Sequence, residues 1–440
     1  MQPRVLLIGG NFYPEPIGIG KYNGEMIDWL AQNGYDCTVV TSFPYYPQWK
    51  VQQPYAKKAF WYRKEVKYYK PYYDRNVSIY RCPQYVPSTP TGAKRMLNGL
   101  SFFLSSFLII LSLLFKKKHD YVISVVPSFE TGLLAILYKK IKGAKFLYHI
   151  QDLQIDAARD LNIIKSKPLI EMLFGIEKYI LKRADVVSSV SAGMMEKVTL
   201  KCGRRVQFFP NWVDYKVIFP EQDKSSLKEE FNFKKTDKII LYSGAIGEKQ
   251  GLENILYAAA SFCDQPEIKF VICGSGPYLN KLFAIKEKLK LDNVVFLPTQ
   301  PIEKLNHFLN MADLHLIIQK ANATDLVMPS KLTNILAVGG VPVVTTIKSS
   351  SLYKLVAEHN LGLIAVPENV ESLISVIRTG LESDISELSN NAKRYASENF
   401  SIANIISQYS SHLEQAYEFD VPETIQYNMN AQFAPLEVKV

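Results

Sequence analysis

Short, wholly apolar runs recur along the chain, separated by longer segments in which apolar positions return every three or four residues. The first pattern is that of a strand buried on both faces of a parallel sheet, the second that of an amphipathic helix. In the first half the pattern predicts strands at Val5–Ile8, Cys37–Thr41, Val77–Arg81, Tyr121–Val125, Lys145–Ile150, Val186–Val190 and Val206–Phe209. In the second half it predicts them at Ile239–Tyr242, Lys269–Cys273, Val294–Phe296, Leu314–Ile318, Val341–Val344 and Gly362–Ala365. Helical patterns fall between, such as Gly20 to Asn33, with Ile27, Leu30 and Ala31 on one face and Gly34 as the stop. Strict alternation of the two patterns is the signature of doubly wound α/β sheets.

A chain of 440 residues exceeds one typical core. The alternation breaks near Phe209-Pro-Asn-Trp-Val-Asp214 and a charged stretch running to about Lys235. We therefore expect one Rossmann-like domain over 1–214 and another over 235–400. A helix at 401–419 is placed to cross back to the first domain, and 420–440 reads as a loose tail. Two such domains enclose a cleft walled by the carboxyl ends of both sheets, where ligands of this architecture bind.

Several loops would line that cleft. Pro329-Ser-Lys-Leu-Thr-Asn-Ile-Leu-Ala-Val-Gly-Gly340 reads as a loop, a short helix and a glycine stop before a buried strand. This order sets Ser330, Lys331 and free helix amides at a sheet edge, a setting that favours anions. A glycine turn with Gly244, Gly247 and Lys249 also follows an apolar strand, and Gly274 and Gly276 follow another. Together they point to a diphosphate pocket in the second domain. In the first domain, Gly9-Gly10 is separated by a long loop from Gly18 and Gly20, unlike the compact GxGxxG fingerprint, which disfavours an ordinary dinucleotide site. His149 and Asp152 end a buried strand, where a polar pair could orient or polarise a substrate hydroxyl. Asp325 is the carboxylate nearest Lys331 in sequence.

The net charge is +9, and much of the excess falls between Tyr45 and Arg75, where eight bases alternate with aromatic residues. That mixture suits an anionic membrane surface or single-stranded nucleic acid, and equally an insertion whose aromatics pack on the domain. Met96 to Phe115 carries no charge, is long enough to span a bilayer, and is flanked by Lys94-Arg95 and Lys116-Lys117-Lys118. A strand at once follows that must join the sheet containing Val5, so we expect a core or membrane-docking helix, not a spanning one. Five scattered cysteines without CxxC spacing fit neither a zinc site nor a disulfide scaffold.

Taken together, Gly18-Ile-Gly-Lys-Tyr22, Pro44-Tyr-Tyr-Pro-Gln-Trp49, His149-Ile-Gln-Asp152, Phe208-Phe-Pro-Asn-Trp212, Leu241-Tyr-Ser-Gly244, Ile246-Gly-Glu-Lys-Gln-Gly-Leu-Glu-Asn254 and Pro329 to Gly340 make the chain similar to glycosyltransferases of family 4, of GT-B fold. Within that family it most resembles colanic-acid-type exopolysaccharide enzymes described as fucosyltransferases, over nearly all residues to about 418. The resemblance implies a nucleoside-diphosphate sugar, GDP- or UDP-linked, held mainly by the second domain, and an acceptor held by the first. It implies transfer with retention of configuration and no required metal. Gly18 and Gly20 would lie against the phosphates and acceptor, His149 against the transferred sugar, and Lys331 with Lys249 would neutralise phosphate charge. Two departures stand out. Asn334 occupies the place of a ribose-binding glutamate, with Leu326 at the place of its partner, and Ala245 or Ile246 and Gln250 replace a frequent Arg and Lys.

The resulting expectation is a hexosyltransferase acting at the inner membrane surface, without nucleic acid, on a polyprenyl-diphosphate-linked glycan. An epimerase on the same scaffold and a non-catalytic nucleotide-sugar-binding subunit are the alternatives.

Overall fold

The computed structural model describes residues 2–15, 18–69, 76–160, 164, 166–321 and 329–415. Fourteen strands form two sheets among them: β1 Arg4–Ile8, β2 Asp36–Ser42, β3 Arg63–Tyr68, β4 Asn76–Cys82, β5 Tyr121–Val126, β6 Lys145–Ile150, β7 Val186–Ser189 and β8 Gln207–Phe208, then β9 Lys238–Ser243, β10 Ile268–Cys273, β11 Val294–Leu297, β12 Leu314–Ile317, β13 Pro342–Thr345 and β14 Leu363–Ala365. The first sheet has eight strands in the order β3-β4-β2-β1-β5-β6-β7-β8, and the second six in the order β11-β10-β9-β12-β13-β14. All neighbours run parallel except β3, which is antiparallel to β4. Each sheet has an apolar cluster on both faces, as the near-continuous apolar strands require.

β3 is the element the pattern did not announce. Its sequence, Arg-Lys-Glu-Val-Lys-Tyr, lies within the basic aromatic segment and is exposed along most of its length. Register with β4 holds it, as do two arginines that converge on one acid. Glu65 lies 3.1 Å from Arg63 and 2.9 Å from Arg81. An edge strand rich in Arg and Lys resists pairing with another chain.

The domain boundary falls earlier than 235. Ile218, Leu227, Phe231 and Phe233 pack with Ile239 and Leu241 in the second core, so the charged stretch after Asp214 belongs to that domain. The crossover is abrupt: Trp212 is buried in the first core and Val213 in the second. The chain crosses back beside the same point, where Val213 bridges Ser401 and its amide donates to the Phe400 carbonyl at 2.7 Å. The helix Ile402–Gln415 then returns Ile405, Ile406 and Tyr409 to the first core, with the Tyr409 ring stacked on Phe209 at 3.9 Å. The two domains are thus joined by a pair of adjacent strands of chain. The tail expected at 420–440 lies outside the described residues, as do Asp325 and Leu326.

Candidate functional site

The carboxyl edge of the second sheet carries the densest polar constellation. β9 ends at Ser243 and passes into Gly244, whose amide donates to the Cys273 carbonyl. The next turn interlocks with it: the Ile246 amide donates to the Ser275 carbonyl at 2.9 Å. Backbones approach so closely here that a Cβ on Gly274 would lie 1.9 Å from the Gly244 oxygen, and one on Gly276 2.0 Å from the Ile246 oxygen. Gly274 and Gly276, expected to add to a nucleotide pocket, therefore serve first to let one loop brace the other. Gly247 caps the short 3-10 turn Glu248–Gln250, which contains Lys249.

Lys331 opens the helix Lys331–Ala337 and reaches toward this braced loop. Its ammonium sits 3.7 Å from the centroid of the Tyr242 ring, and an ideal Cβ on Gly244 would be 3.5 Å from Nζ. The residue as a whole is only partly buried, but Nζ has no solvent contact and no hydrogen-bond partner. Burial pulls its pKa down to about 7. The Tyr242 hydroxyl is turned away, donating to the Ala245 carbonyl at 2.6 Å, so only the ring's π face compensates the charge. Asn334 Oδ1, Gln250 Oε1 and Gln319 Oε1 are among the side-chain oxygens likewise buried without partners. Native proteins rarely leave such groups unpaired except where a ligand or water completes them. Ser330 is exposed and its side chain caps nothing.

On the facing domain, Gly18 is exposed at the start of the helix Gly18–Gln32, and Gly20 packs on the Glu15 carboxylate. Glu15 is fully buried, and burial raises its pKa. It accepts hydrogen bonds from the amides of Tyr45 (3.0 Å) and Tyr46 (2.9 Å) and from Asn11 Nδ2 (2.9 Å). It thereby fastens the glycine loop to the Tyr45–Tyr46 loop, a role sequence reading missed. The sole signal was an acid inside an otherwise apolar, proline-rich turn.

A second missed contact joins the halves. Thr333 of the second domain lies close enough to the buried Tyr22 hydroxyl of the first to affect its acidity. Tyr22 lies about one helical turn beyond Gly18, and Thr333 two residues beyond Lys331. The glycine loop of the first domain and the lysine of the second are therefore brought to one place.

His149 and Asp152, expected at the carboxyl edge of their strand, take different surroundings. β6 and β7 are in register at His149 and Ser188, and His149 Nδ1 bonds Ser188 Oγ at 3.0 Å. The imidazole is 3% exposed, edge-on to Phe209 at 4.9 Å, and burial lowers its pKa to about 3. It is a neutral hydrogen-bonding group, not a proton-donating imidazolium. Asp152 lies two residues past the strand end, partly buried, close enough to affect Tyr46 electrostatically.

Away from the cleft, the helix Gly92–Leu114 is the one described helix long and apolar enough to cross a membrane, and 28% of its most apolar stretch is buried. Phe102, Ser106, Ile110 and Leu113 face the core, while Leu97, Leu100, Leu104 and Leu108 form an exposed row. The Tyr62 hydroxyl donates to the Ser105 carbonyl, which brings the neighbouring exposed Phe60 and Trp61 alongside this helix. Of the other described aromatics of the basic segment, Tyr45 is buried, Trp49, Tyr55, Tyr62 and Tyr69 are partly buried, and Tyr46 and Tyr68 are exposed.

Comparison with known proteins matches residues 18–212 to the family described as a glycosyl transferase 4-like domain, and residues 223–399 to glycosyl transferases group 1. The colanic acid biosynthesis glycosyl transferase WcaI of Escherichia coli (strain K12) is 37% identical over 414 residues, covering 92% of this chain and 98% of its own. The solved sucrose-phosphate synthase of Thermosynechococcus elongatus aligns with TM-score 0.72 at 16% identity, over 95% of this chain and 100% of that one. Anabaena HepE, solved in complex with UDP and glucose, aligns with TM-score 0.66 at 15% identity, over 94% and 100% respectively.

Proposed function

Because the chain belongs to the group 1 glycosyl transferases, enzymes of GT-B fold with a 4-like amino-terminal domain, we propose that it is a retaining hexosyltransferase of bacterial exopolysaccharide synthesis. In this reading a hexose or deoxyhexose, fucose being one candidate, moves from a GDP- or UDP-linked donor to a polyprenyl-diphosphate-linked glycan. The likeness to a colanic acid enzyme supports the pathway, and the neighbour named with UDP and glucose supports the donor class.

The observation that carries the proposal is the Lys331 ammonium, buried without a partner beside Gly244 and within two residues of the inter-domain contact. A buried unpaired cation is costly, and an arriving diphosphate converts that cost into binding. As the glycosidic bond breaks, negative charge grows on the leaving diphosphate, and a fixed cation aimed there stabilises the transition state without reorganising. Asn334 and Gln250, standing where family members carry charged residues, bring uncharged oxygens that suit ribose hydroxyls. Gly18 admits the phosphates closely, and His149 contributes a neutral imidazole toward the sugar. No enzymatic nucleophile is required when the acceptor hydroxyl attacks from the side the diphosphate leaves, and no metal is required where Lys331 meets the charge.

The exposed leucine row, with Phe60, Trp61 and the flanking lysines, would hold the first domain on the anionic inner leaflet, where a lipid-linked acceptor resides. Incubating the protein with labelled GDP- and UDP-sugars and a membrane lipid extract tests the whole reading. Label entering the lipid phase with retained configuration supports it. An altered free nucleotide sugar would indicate epimerisation instead, and binding without turnover a non-catalytic subunit.

A further inference from the structure

At the opposite edge of the second sheet, remote from the carboxyl-edge loops, lies a cavity of about 400 Å³. It opens where the strands begin: Lys238 starts β9, Asp313 precedes β12 and Val341 precedes β13. Lys224, Lys238 and Lys393 line it, and none of these three ammonium groups has a hydrogen bond or ion pair among the described residues. Two carboxylates line the cavity as well, and both accept hydrogen bonds. Asp313 Oδ2 accepts from Lys228 Nζ at 2.9 Å and from the Ile239 amide at 2.7 Å. The other lining carboxylate, Asp384, accepts from the Ser386 amide at 2.9 Å.

Lys224, Lys238 and Lys393 line the concavity and Lys228 pairs with Asp313 beside it, so the cations there outnumber the two lining carboxylates, Asp313 and Asp384. Lys224 is partly buried, and its pKa is lowered by burial and next by Lys393. Like charges held together in this way repel one another at a cost to the fold. Such an arrangement is relieved by a multiply charged anion, for which Ser383, Ser386 and Asn390 at the rim offer neutral donors. The volume lies in the range of small-molecule sites.

We propose that this cavity is a second binding site, for a phosphorylated small molecule, independent of the cleft between the domains. The Lys393 stem lies against Gly339, so closely that a Cβ there would come within 2.2 Å of it, and Ser389 donates to the Gly339 carbonyl at 2.7 Å. The cavity therefore abuts the far end of the helix that begins with Lys331.

The test uses inorganic phosphate as probe, titrated against the full chain at ionic strength held constant with chloride, and followed by thermal unfolding and calorimetry. Phosphate raises the melting temperature of the wild type and of Lys331→Ala alike. In the double variant K224M/K393M, which keeps both side-chain stems but removes their charge, phosphate binds at least tenfold more weakly. Without phosphate that variant melts no lower than the wild type, since repulsion has been removed, which separates lost binding from lost folding. Equal phosphate stabilisation in wild type and K224M/K393M, or none beyond chloride in the wild type, overturns the proposal. Loss of the phosphate effect in Lys331→Ala alone would move the anion to the cleft and overturn it equally.

Discussion

The most searching prediction concerns protons taken up when the nucleotide binds. Free Lys331 has its pKa lowered by burial from 10.5 to about 7, a displacement worth roughly 5 kcal/mol at about 1.4 kcal/mol per unit. A diphosphate seated beside Nζ favours the charged form and returns the pKa toward its ordinary value. At pH 8, about nine in ten free molecules hold a neutral lysine, so binding should draw in about 0.9 proton. At pH 6 the ammonium is already formed, and uptake should fall to about 0.1 proton. Affinity should be flat below pH 7 and weaken about tenfold per unit above it, until the pKa of the complex is reached. Calorimetry of UDP and GDP binding in buffers of differing ionisation enthalpy reads the uptake directly. Heats at pH 8 that do not vary with buffer, or that vary as much in Lys331→Met, would refute the assignment. Stability carries the same signature. The unfolded chain holds this proton up to pH 10.5, so the penalty is complete below pH 7 and is relieved as pH rises from 7 toward 10.5. Lys331→Met should therefore stabilise the free protein at neutral pH while removing most turnover.

Gly276→Ala should destabilise the second domain by about 2 kcal/mol or more in urea unfolding, because the new methyl collides with the Ile246 carbonyl and one loop must shift; full stability would show that the braced loop yields. Burial lowers the pKa of His119 to about 4 and of His149 and His315 to about 3. The unfolded chain binds those protons near pH 6.5, so stability should fall as pH drops below 6.5, and three of the six histidines should show no NMR titration between pH 8 and 5. Leu104→Glu with Leu108→Glu changes two exposed positions and should leave the fold intact. It should nonetheless abolish sedimentation with anionic vesicles, and unchanged sedimentation would reject the docking face.

Most of the fold could be read from the chain because parallel strands are buried on both faces and so appear as uninterrupted apolar runs. β3 escaped for the complementary reason. It is an edge strand in which Arg63, Lys64 and Lys67 face solvent, and antiparallel pairing with β4, not side-chain burial, makes it a strand. The boundary at 235 was misplaced because Leu227, Phe231 and Phe233 are spaced among charges, and only the folded sheet shows that they fill one side of the second core.

The site was legible to the extent that its parts are local. Lys331 stands at a loop-to-helix junction before a buried strand, and that order alone places it at a carboxyl edge. What surrounds it is non-local: the Tyr242 ring beneath Nζ comes from β9, and Tyr22 beside Thr333 comes from the other domain. His149 illustrates the converse. Its position near a strand end suggested a polar group facing a substrate, but its own hydrogen-bond partner, Ser188 of the adjacent strand, is set by sheet register, which the sequence of one strand does not contain. Ser188 in turn contacts Tyr409 at 3.3 Å, a residue of the returning helix. The imidazole's orientation therefore depends on the chain's second crossing, more than two hundred residues away. Truncation before Ile402 should accordingly loosen His149 and impair sugar transfer while leaving the strands of both sheets in place. Transfer at the wild-type rate by such a truncated chain would show that His149 is oriented by Ser188 alone.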